Sequence, residues 1–380
     1  MQRRPTLENT IFFSFMTTLK DPRRSNASHP LEAIVFSLVV AVICGADGFV
    51  QAERIAQLRR KFIARYVELP HGIPAHDTMA RVIGLLTPDH FVDAFVTFMS
   101  RLTRRTKDEI LNIDGKTLRA AVNKLSLKHA AAEDQVHMIN AFSALRGVVV
   151  GQLRSSAVAN EIAGAQDLLR LINVHGCTIT MDAAHTCRKT LEMIAERGAN
   201  VVVGVKSNSR KLLNDIVAAF QAGAYQLLEQ TEHGHGRVEH RKYAVVPASG
   251  ESTASSFATL RAFIRVERQR IFPKGQISKP RISYYATSLD PSRIEYIAEC
   301  VRQRWAIENK LHYVLDVAFD EDKCRVRAQN AAENLSRVRH LSLNLLNEDK
   351  TERGGIVTKR QVALVDDMYL ARILQLDSPA

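Results

Sequence analysis

The chain has 380 residues, of which 46% are hydrophobic and 24% charged, as in a soluble globular protein with room for two domains. Its formal charge of +12 favours a polyanionic partner such as nucleic acid. Five scattered cysteines without a C-x-x-C pair argue against a disulfide framework and indicate a reducing compartment. The polar first ten residues resemble no signal peptide, and the apolar run 31–44 is shorter than the roughly 20 residues that span a bilayer. We therefore expect a cytoplasmic protein that faces DNA, with no membrane partner.

Residues 1–105 are predicted to form an N-terminal helical domain. The run 31–44 has the composition of a buried helix, and glycines at 45 and 48 end it. The next predicted helix, 49–66, carries a cluster of arginine and lysine residues. This basic helix is a candidate reader of DNA ends, although a solvated helix face would have the same composition.

Residues 106–346 are predicted to form a mixed α/β domain. Short apolar runs at 109–113, 177–181 and 201–205 alternate with amphipathic helices, which is typical of such a sheet. A β-rich insertion is expected at about 225–290, and helices follow it. Residues 347–380 are predicted to be a C-terminal tail.

Three acidic residues stand where a metal site is most easily built. Asp114 closes the first predicted strand, Asp182 closes the strand 177–181, and Glu308 lies on a late helix. Converging carboxylates suit Mg²⁺, and two ions roughly 3.5–4 Å apart can hold attacking and leaving oxygens. Each acid also has a simpler explanation. Asp114-Gly115 is typical of a hairpin turn, Asp182 can cap the following helix, and a glutamate on a long helix is commonly solvated.

The segment 301–312 contains the single tryptophan. Its apolar residues recur every three to four positions, which predicts a helix. Trp305 and Leu311 are predicted to anchor that helix in the core. Arg304, one turn before Glu308, is a candidate phosphate contact.

Motifs along nearly the whole chain resemble one known family. They are 21–24 with 29–31, 44–47, 72–78, 114–119, 160–162, 182–186, 235–239, 305–312 and 315–327. In this order they resemble the H-repeat-associated (ISAs-type) insertion-sequence transposases, a branch of the DDE transposases. The resemblance implies a ribonuclease-H-like core and a catalytic, metal-binding triad of Asp114, Asp182 and Glu308. It also implies Mg²⁺ or Mn²⁺ as cofactor, with two ions bound.

Further residues are candidates for supporting roles. The predicted DNA contacts are Lys116, Arg119, Lys206, His235, Arg237, Arg241, Arg304, Arg325 and Arg327. His185, Asn309 and His312 are predicted to support the metal site. Surface ion pairs or simple packing would explain these residues equally well.

The sequence thus predicts a DNA transposase that binds the terminal inverted repeats of its element and target DNA. It would catalyse metal-dependent strand cleavage and strand transfer as a homo-oligomer on DNA. Two alternatives stay open: a catalytically weak or repurposed DNA-binding relative, and a ribonuclease-H-like nuclease without strand transfer.

Overall fold

The computed structural model describes residues 11–23, 27–102, 108–122, 135–155, 160–234, 236–273, 275–326 and 329–376. By contacts the chain divides into two compact units. The first contains the described parts of Met1–Arg105, Gly115–Ile172 and Ile307–Ala380, and the second those of Thr106–Asp114 and Asn173–Ala306. The domain boundaries expected from the sequence, at 105 and 346, stay a prediction.

The N-terminal region is helical throughout its described residues. Its helices are α1 (Ile11–Thr18), α2 (Leu31–Ile43), α3 (Phe49–Leu58), α4 (Arg60–Ile63), α5 (His76–Leu85) and α6 (Pro88–Leu102). Every residue of α2 except Glu32 is buried, which confirms the prediction from its continuous apolar run. Phe36 of α2 and Phe98 of α6 both pack edge-on against Phe12, so aromatic contacts join three helices.

Nine strands form one mixed sheet among the described residues. They are β1 (Ile110–Val122), β2 (Gln135–Ser143), β3 (Val148–Ser155), β4 (Thr178–Met181), β5 (Asn200–Val205), β6 (Gln226–Gly234), β7 (Arg237–Pro247), β8 (Ala262–Ile271) and β9 (Arg281–Thr287). Their order is β3-β2-β1-β4-β5-β9-β8-β7-β6. Strands β1, β4 and β5 run parallel, and β5, β9, β8, β7 and β6 are successively antiparallel. The predicted fold class, a mixed α/β sheet preceded by helices, is confirmed.

The β-rich insertion contains one strand that the sequence did not reveal. Strand β6 is largely exposed and pairs along its length with β7. Its polar residues lack the apolar alternation on which strand prediction depends. A short helix, α10 (Glu251–Ser255), also lies within this β-rich insertion, between β7 and β8.

Helices after the third strand complete the fold. They are α7 (Glu161–Leu171), α8 (Arg188–Glu196), α9 (Arg210–Gln221), α11 (Ile294–Gln303), α12 (Tyr313–Ala318), α13 (Ala331–Glu348), α14 (Ile356–Val365) and α15 (Asp367–Ile373). Helix α13 is buried from Ala331 to Leu346. The guanidinium of Arg360 on α14 donates to the backbone carbonyls of Val42 and Ala46, so the predicted tail is part of the packed first unit.

Among the described residues, no single helix has both the length and the apolar composition needed to cross a membrane. Helices His76–Leu85 and Pro88–Arg101 meet those requirements only when taken together, and the pair is bent by 91°.

Candidate functional site

Asp114 lies inside a strand and not at its end. Strand β1 continues through Asp114 and Gly115 to Val122, so the predicted strand end and the alternative hairpin turn are both wrong. A side chain at position 115 would meet the ring of His137, since a Cβ built there lies 2.4 Å from Nε2. Glycine therefore lets the strand pass this imidazole, and pairing outweighs the local turn preference of Asp-Gly.

Asp182 follows β4 directly, as the sequence predicts. Strands β1 and β4 are parallel, with Asn112 paired with Thr180. Continuing this register by two residues brings Asp114 level with Asp182, on strands about 4.8 Å apart. Oδ1 of Asp182 accepts a hydrogen bond of 2.7 Å from the backbone N–H of Ala184. Asp182 thus also caps the following turn, and its second oxygen can serve a ligand.

A buried asparagine, which sequence reasoning missed, fixes this edge of the sheet. The hydroxyl of Thr180 donates to Oδ1 of Asn112 at 2.6 Å. Nδ2 of Asn112 donates to the carbonyl oxygen of Gln303, the last residue of α11, at 2.7 Å. One amide therefore ties β1, β4 and the end of α11 together. A polar residue within an apolar strand, two positions before Asp114, was the available signal.

Glu308 begins a π-helical turn. Helix α11 ends at Gln303, and residues 308–312 form a π turn closed by the N–H of Tyr313, which donates to the carbonyl of Glu308. Nδ1 of His312 lies 3.4 Å from Oε2 of Glu308. Such turns recur at functional sites.

The predicted anchors of this segment behave differently from each other. Leu311 is fully buried, as predicted, but Trp305 is 50% exposed, so its prediction as a core anchor is wrong. The helix is interrupted at 304–305, which shifts the helical period and turns Trp305 outward. The guanidinium of Arg304 lies 4.9 Å from the centre of the indole ring.

The structure contains a candidate metal-binding cluster of acidic and histidine side chains. Within the first unit, Glu308 and His312 each offer one ligand atom to it. A carboxylate and an imidazole suit a divalent cation, with the carboxylate favouring Mg²⁺ and the imidazole tolerating Mn²⁺ and other transition metals. Asp114 and Asp182 belong to the second unit, on neighbouring parallel strands, and their place in one metal site with Glu308 stays a prediction.

Comparison with known proteins identifies the family. Residues 105–345 match the transposase DDE domain, and residues 13–99 match the domain described as DDE_Tnp_1-associated. The chain is 32% identical to the H repeat-associated putative transposase YhhI of Escherichia coli K12, over 91% of this chain and 92% of that protein. It is 31% identical to the putative transposase YncI of E. coli O157:H7, over 95% of this chain and 93% of that protein.

The chain belongs to the DDE transposase family. The resemblance drawn from its motifs is confirmed. A solved structure, piggyBac transposase in a synaptic complex with hairpin DNA, is similar at 9% identity and a TM-score of 0.45, covering 97% of this chain and 82% of that one. Members of this family are transposases that act on DNA, and their DDE domains use divalent metals.

Two of the cations predicted to contact DNA in this DDE transposase already have acidic partners. Lys116 is buried, and its Nζ lies 2.6 Å from Asp316 and 3.4 Å from Asp322. Arg241 is 11% exposed and pairs with Glu232 and Glu239. These ion pairs give Lys116 and Arg241 a structural role in addition to the DNA contact that the sequence predicts.

The other predicted supporting residues occupy varied places. Lys206, Arg325 and Asn309 are exposed, whereas His185 is buried in the turn that follows Asp182. Arg119 and Arg237 belong to β1 and β7, but their side chains lie outside the described part of the chain. His235 and Arg327 lie outside the described residues altogether. All of these roles stay predictions.

Proposed function

We propose that this protein is the transposase of an insertion sequence that binds the terminal inverted repeats of its element, cuts the DNA there and joins the freed end to target DNA. The proposal is carried by the match of residues 105–345 to the transposase DDE domain. It is supported by the neighbouring side chains of Glu308 and His312 in the first unit and, in the second, by Asp114 on β1 and Asp182 directly after the parallel strand β4. A divalent cation held by these side chains would stabilise the negative charge that develops on the phosphate during strand cleavage.

The chain's own residues have distinct roles in this proposal. Asp114, Asp182 and Glu308 supply the oxygen ligands, and His312 either joins them or orients Glu308. The Asn112 hydrogen bonds hold β1 and β4 at fixed spacing beside the end of α11, which preorganises two of the acids. A reaction of this kind needs no serine or tyrosine nucleophile.

The partners follow from the same reaction. Two ends of one element must be brought together, so we propose a homo-oligomer assembled on DNA in the bacterial cytosol. The N-terminal helices are the proposed reader of the terminal repeats. Arg54 and Lys61 of the basic segment are exposed, which leaves them accessible to phosphate, whereas the exposed Arg65 pairs with Asp367.

The test replaces each acid without changing its size. Asp114→Asn, Asp182→Asn and Glu308→Gln should each lower Mg²⁺-dependent cleavage of element-end DNA by at least about 100-fold, because even groups that support a metal ligand contribute 10–100-fold. Asp93→Asn and Glu295→Gln remove exposed carboxylates elsewhere and should leave the rate unchanged.

Product analysis separates this proposal from its rivals. Joined donor and target strands support a transposase, whereas cut strands that never join indicate a nuclease. Repeat-specific binding without cleavage in Mg²⁺ or Mn²⁺ indicates a DNA-binding relative. Triad variants that cut as fast as the parent would show that the acids are wrongly assigned.

A further inference from the structure

Three arginines stand directly opposite one another across the β-rich insertion. Arg241 of β7 pairs with Arg268 of β8, and Arg268 pairs with Arg281 of β9. Directly paired residues of antiparallel strands share one face of the sheet, with Cβ atoms about 4.5–5.5 Å apart. Three arginine side chains therefore leave one face of the sheet at neighbouring positions, and we call them the arginine row. Like charges placed in this way destabilise a sheet.

Acidic neighbours balance only part of this charge. Glu239, which is buried, accepts hydrogen bonds from Arg241 and from Arg270, the latter at 2.8 Å. Glu232 pairs with Arg241 and with Arg302 of α11.

Two members of the row have no acid of their own. Within the part of the chain that the structure describes, Arg268 and Arg281 form no ion pair. Five arginines thus share two glutamates: Arg241, Arg268, Arg270, Arg281 and Arg302.

The electrostatics of Arg268 reflect this excess. Burial lowers the pKa of its guanidinium, the charge of Arg270 acts in the same direction, and so do Arg241 and Arg281, while Glu239 opposes them. Arginine nevertheless stays protonated at neutral pH, because its ordinary pKa lies far above neutrality. The uncompensated positive charge therefore persists in the folded protein.

Neither packing nor solvation explains the row. A solvated arginine face would not require three guanidinium groups to oppose one another, and a packing role would be served by uncharged side chains. Burial also differs along the row, since Arg241 is 11% exposed and Arg281 is exposed to solvent. Arg281, at the solvent-exposed end of the row, thus has no acidic partner among the described residues, whereas Arg241 at the other end has two. The planar donors of arginine match phosphate oxygens in geometry and charge.

We propose that the arginine row is a binding site for the phosphate backbone of DNA, with Arg268 and Arg281 as the contacting residues. The choice of DNA as the polyanion rests on the proposed function. The contact would position the strand without reading its sequence. The sequence analysis predicted only one member of the row, Arg241, as a DNA contact, and this is the member that pairs with Glu232 and Glu239.

The test measures binding without metal. The full-length protein is titrated into a fluorescein-labelled duplex of random sequence, in EDTA, between about 50 and 200 mM salt. Arg268→Gln and Arg281→Gln should each weaken binding several-fold, and each should reduce the salt slope by about 1. Arg268→Lys should retain most of the affinity. Arg261→Gln is the matched control, because it removes the same charge from an exposed pair with Asp290 in the same unit.

Thermal unfolding supplies an independent measurement. Since opposed like charges are destabilising, Arg268→Gln should raise the unfolding midpoint while it weakens binding. A lowered midpoint with an unchanged salt slope would show that Arg268 is structural and overturn the proposal. Affinities equal to that of Arg261→Gln would overturn it as well. If Arg268→Gln does not fold, the exposed Arg281→Gln decides alone. EDTA excludes cleavage, so failure of the acidic triad leaves this result unaffected.

Discussion

Arginines occupy two regions of this protein with opposite charge compensation. On helix α13, Arg337 and Arg339 are each 1% exposed. Arg337 lies 3.4 Å from the buried Glu333 and donates to Asn334 at 2.8 Å. Arg339 donates to the backbone carbonyl of Asp47 at 2.6 Å. In the arginine row, by contrast, Arg268 faces two other arginines.

The difference separates structural cations from cations available to a ligand. A charge taken out of water must be paired and hydrogen-bonded within the fold. Each of the two α13 arginines has a buried glutamate of its own, Glu333 for Arg337 and Glu321 for Arg339, although Nε and Nη2 of Arg337 and Nε of Arg339 find no hydrogen-bond partner among the described residues. In the arginine row, only Arg241 has acidic partners among the described residues, Glu232 and Glu239. An arrangement that lowers the stability of the free protein is expected where an external anion binds.

Removing the carboxylate that balances the charge of Arg337 on α13 should have the largest effect on stability. Glu333→Ala leaves Arg337 buried without its carboxylate, and Arg154 also loses its partner. We expect a loss of about 3–5 kcal/mol in the free energy of unfolding, because removal of one member of a buried pair leaves an uncompensated charge. Urea unfolding measures this loss. Glu295→Ala, on the exposed face of α11, should change it by less than about 0.5 kcal/mol. A similar small change for Glu333→Ala would contradict the assignment.

The second-largest effect should be the loss of stability at acid pH that the buried His340 on α13 causes. Burial lowers the pKa of His340 to about 4, although the charge of Glu321 opposes the shift. The unfolded imidazole, with a pKa near 6.5, takes up a proton at a pH where the folded one does not. Stability is therefore fully present above about pH 6.5 and is lost as pH falls towards 4, by up to about 1.4 kcal/mol per pH unit.

Urea unfolding across that range measures the effect of His340. His340→Gln should flatten the curve between pH 6.5 and 4, and the exposed His175→Gln should leave its slope unchanged. An unaltered slope in His340→Gln would mean that other groups carry the acid dependence.

The elements that depend on local pattern were predictable from the sequence. Helix α2 follows from an unbroken apolar run, and β4 and β5 follow from short β-branched runs between turn residues. Asp114 and Asp182 were chosen as candidate metal ligands because acids at the ends of adjacent strands suit a metal site, and that role stays a prediction. The turn preference of Asp114-Gly115 nevertheless gave the wrong end for β1, because strand pairing overrides such preferences.

Features that depend on register could not be predicted. The π turn at residues 308–312 was not predicted, because the hydrophobic period does not distinguish it from an α-helical turn. The arginine row joins residues 27 and 13 positions apart in sequence, and it exists only because β7, β8 and β9 pair as they do. A shift of one residue would send Arg268 to the other face.

The smallest expected effect on stability comes from removing the shared carboxylate beside the arginine row. Glu239→Gln removes the carboxylate that Arg241 and Arg270 share, so it should lower the free energy of unfolding by about 1–3 kcal/mol. It also makes the row more positive, so metal-free binding to DNA should become tighter, opposite in sign to Arg268→Gln. Glu229→Gln is the matched control, because Glu229 pairs with Lys242 on the other face of the same hairpin. Weaker DNA binding by Glu239→Gln would mean that the geometry set by Glu239, and not net charge, governs the site.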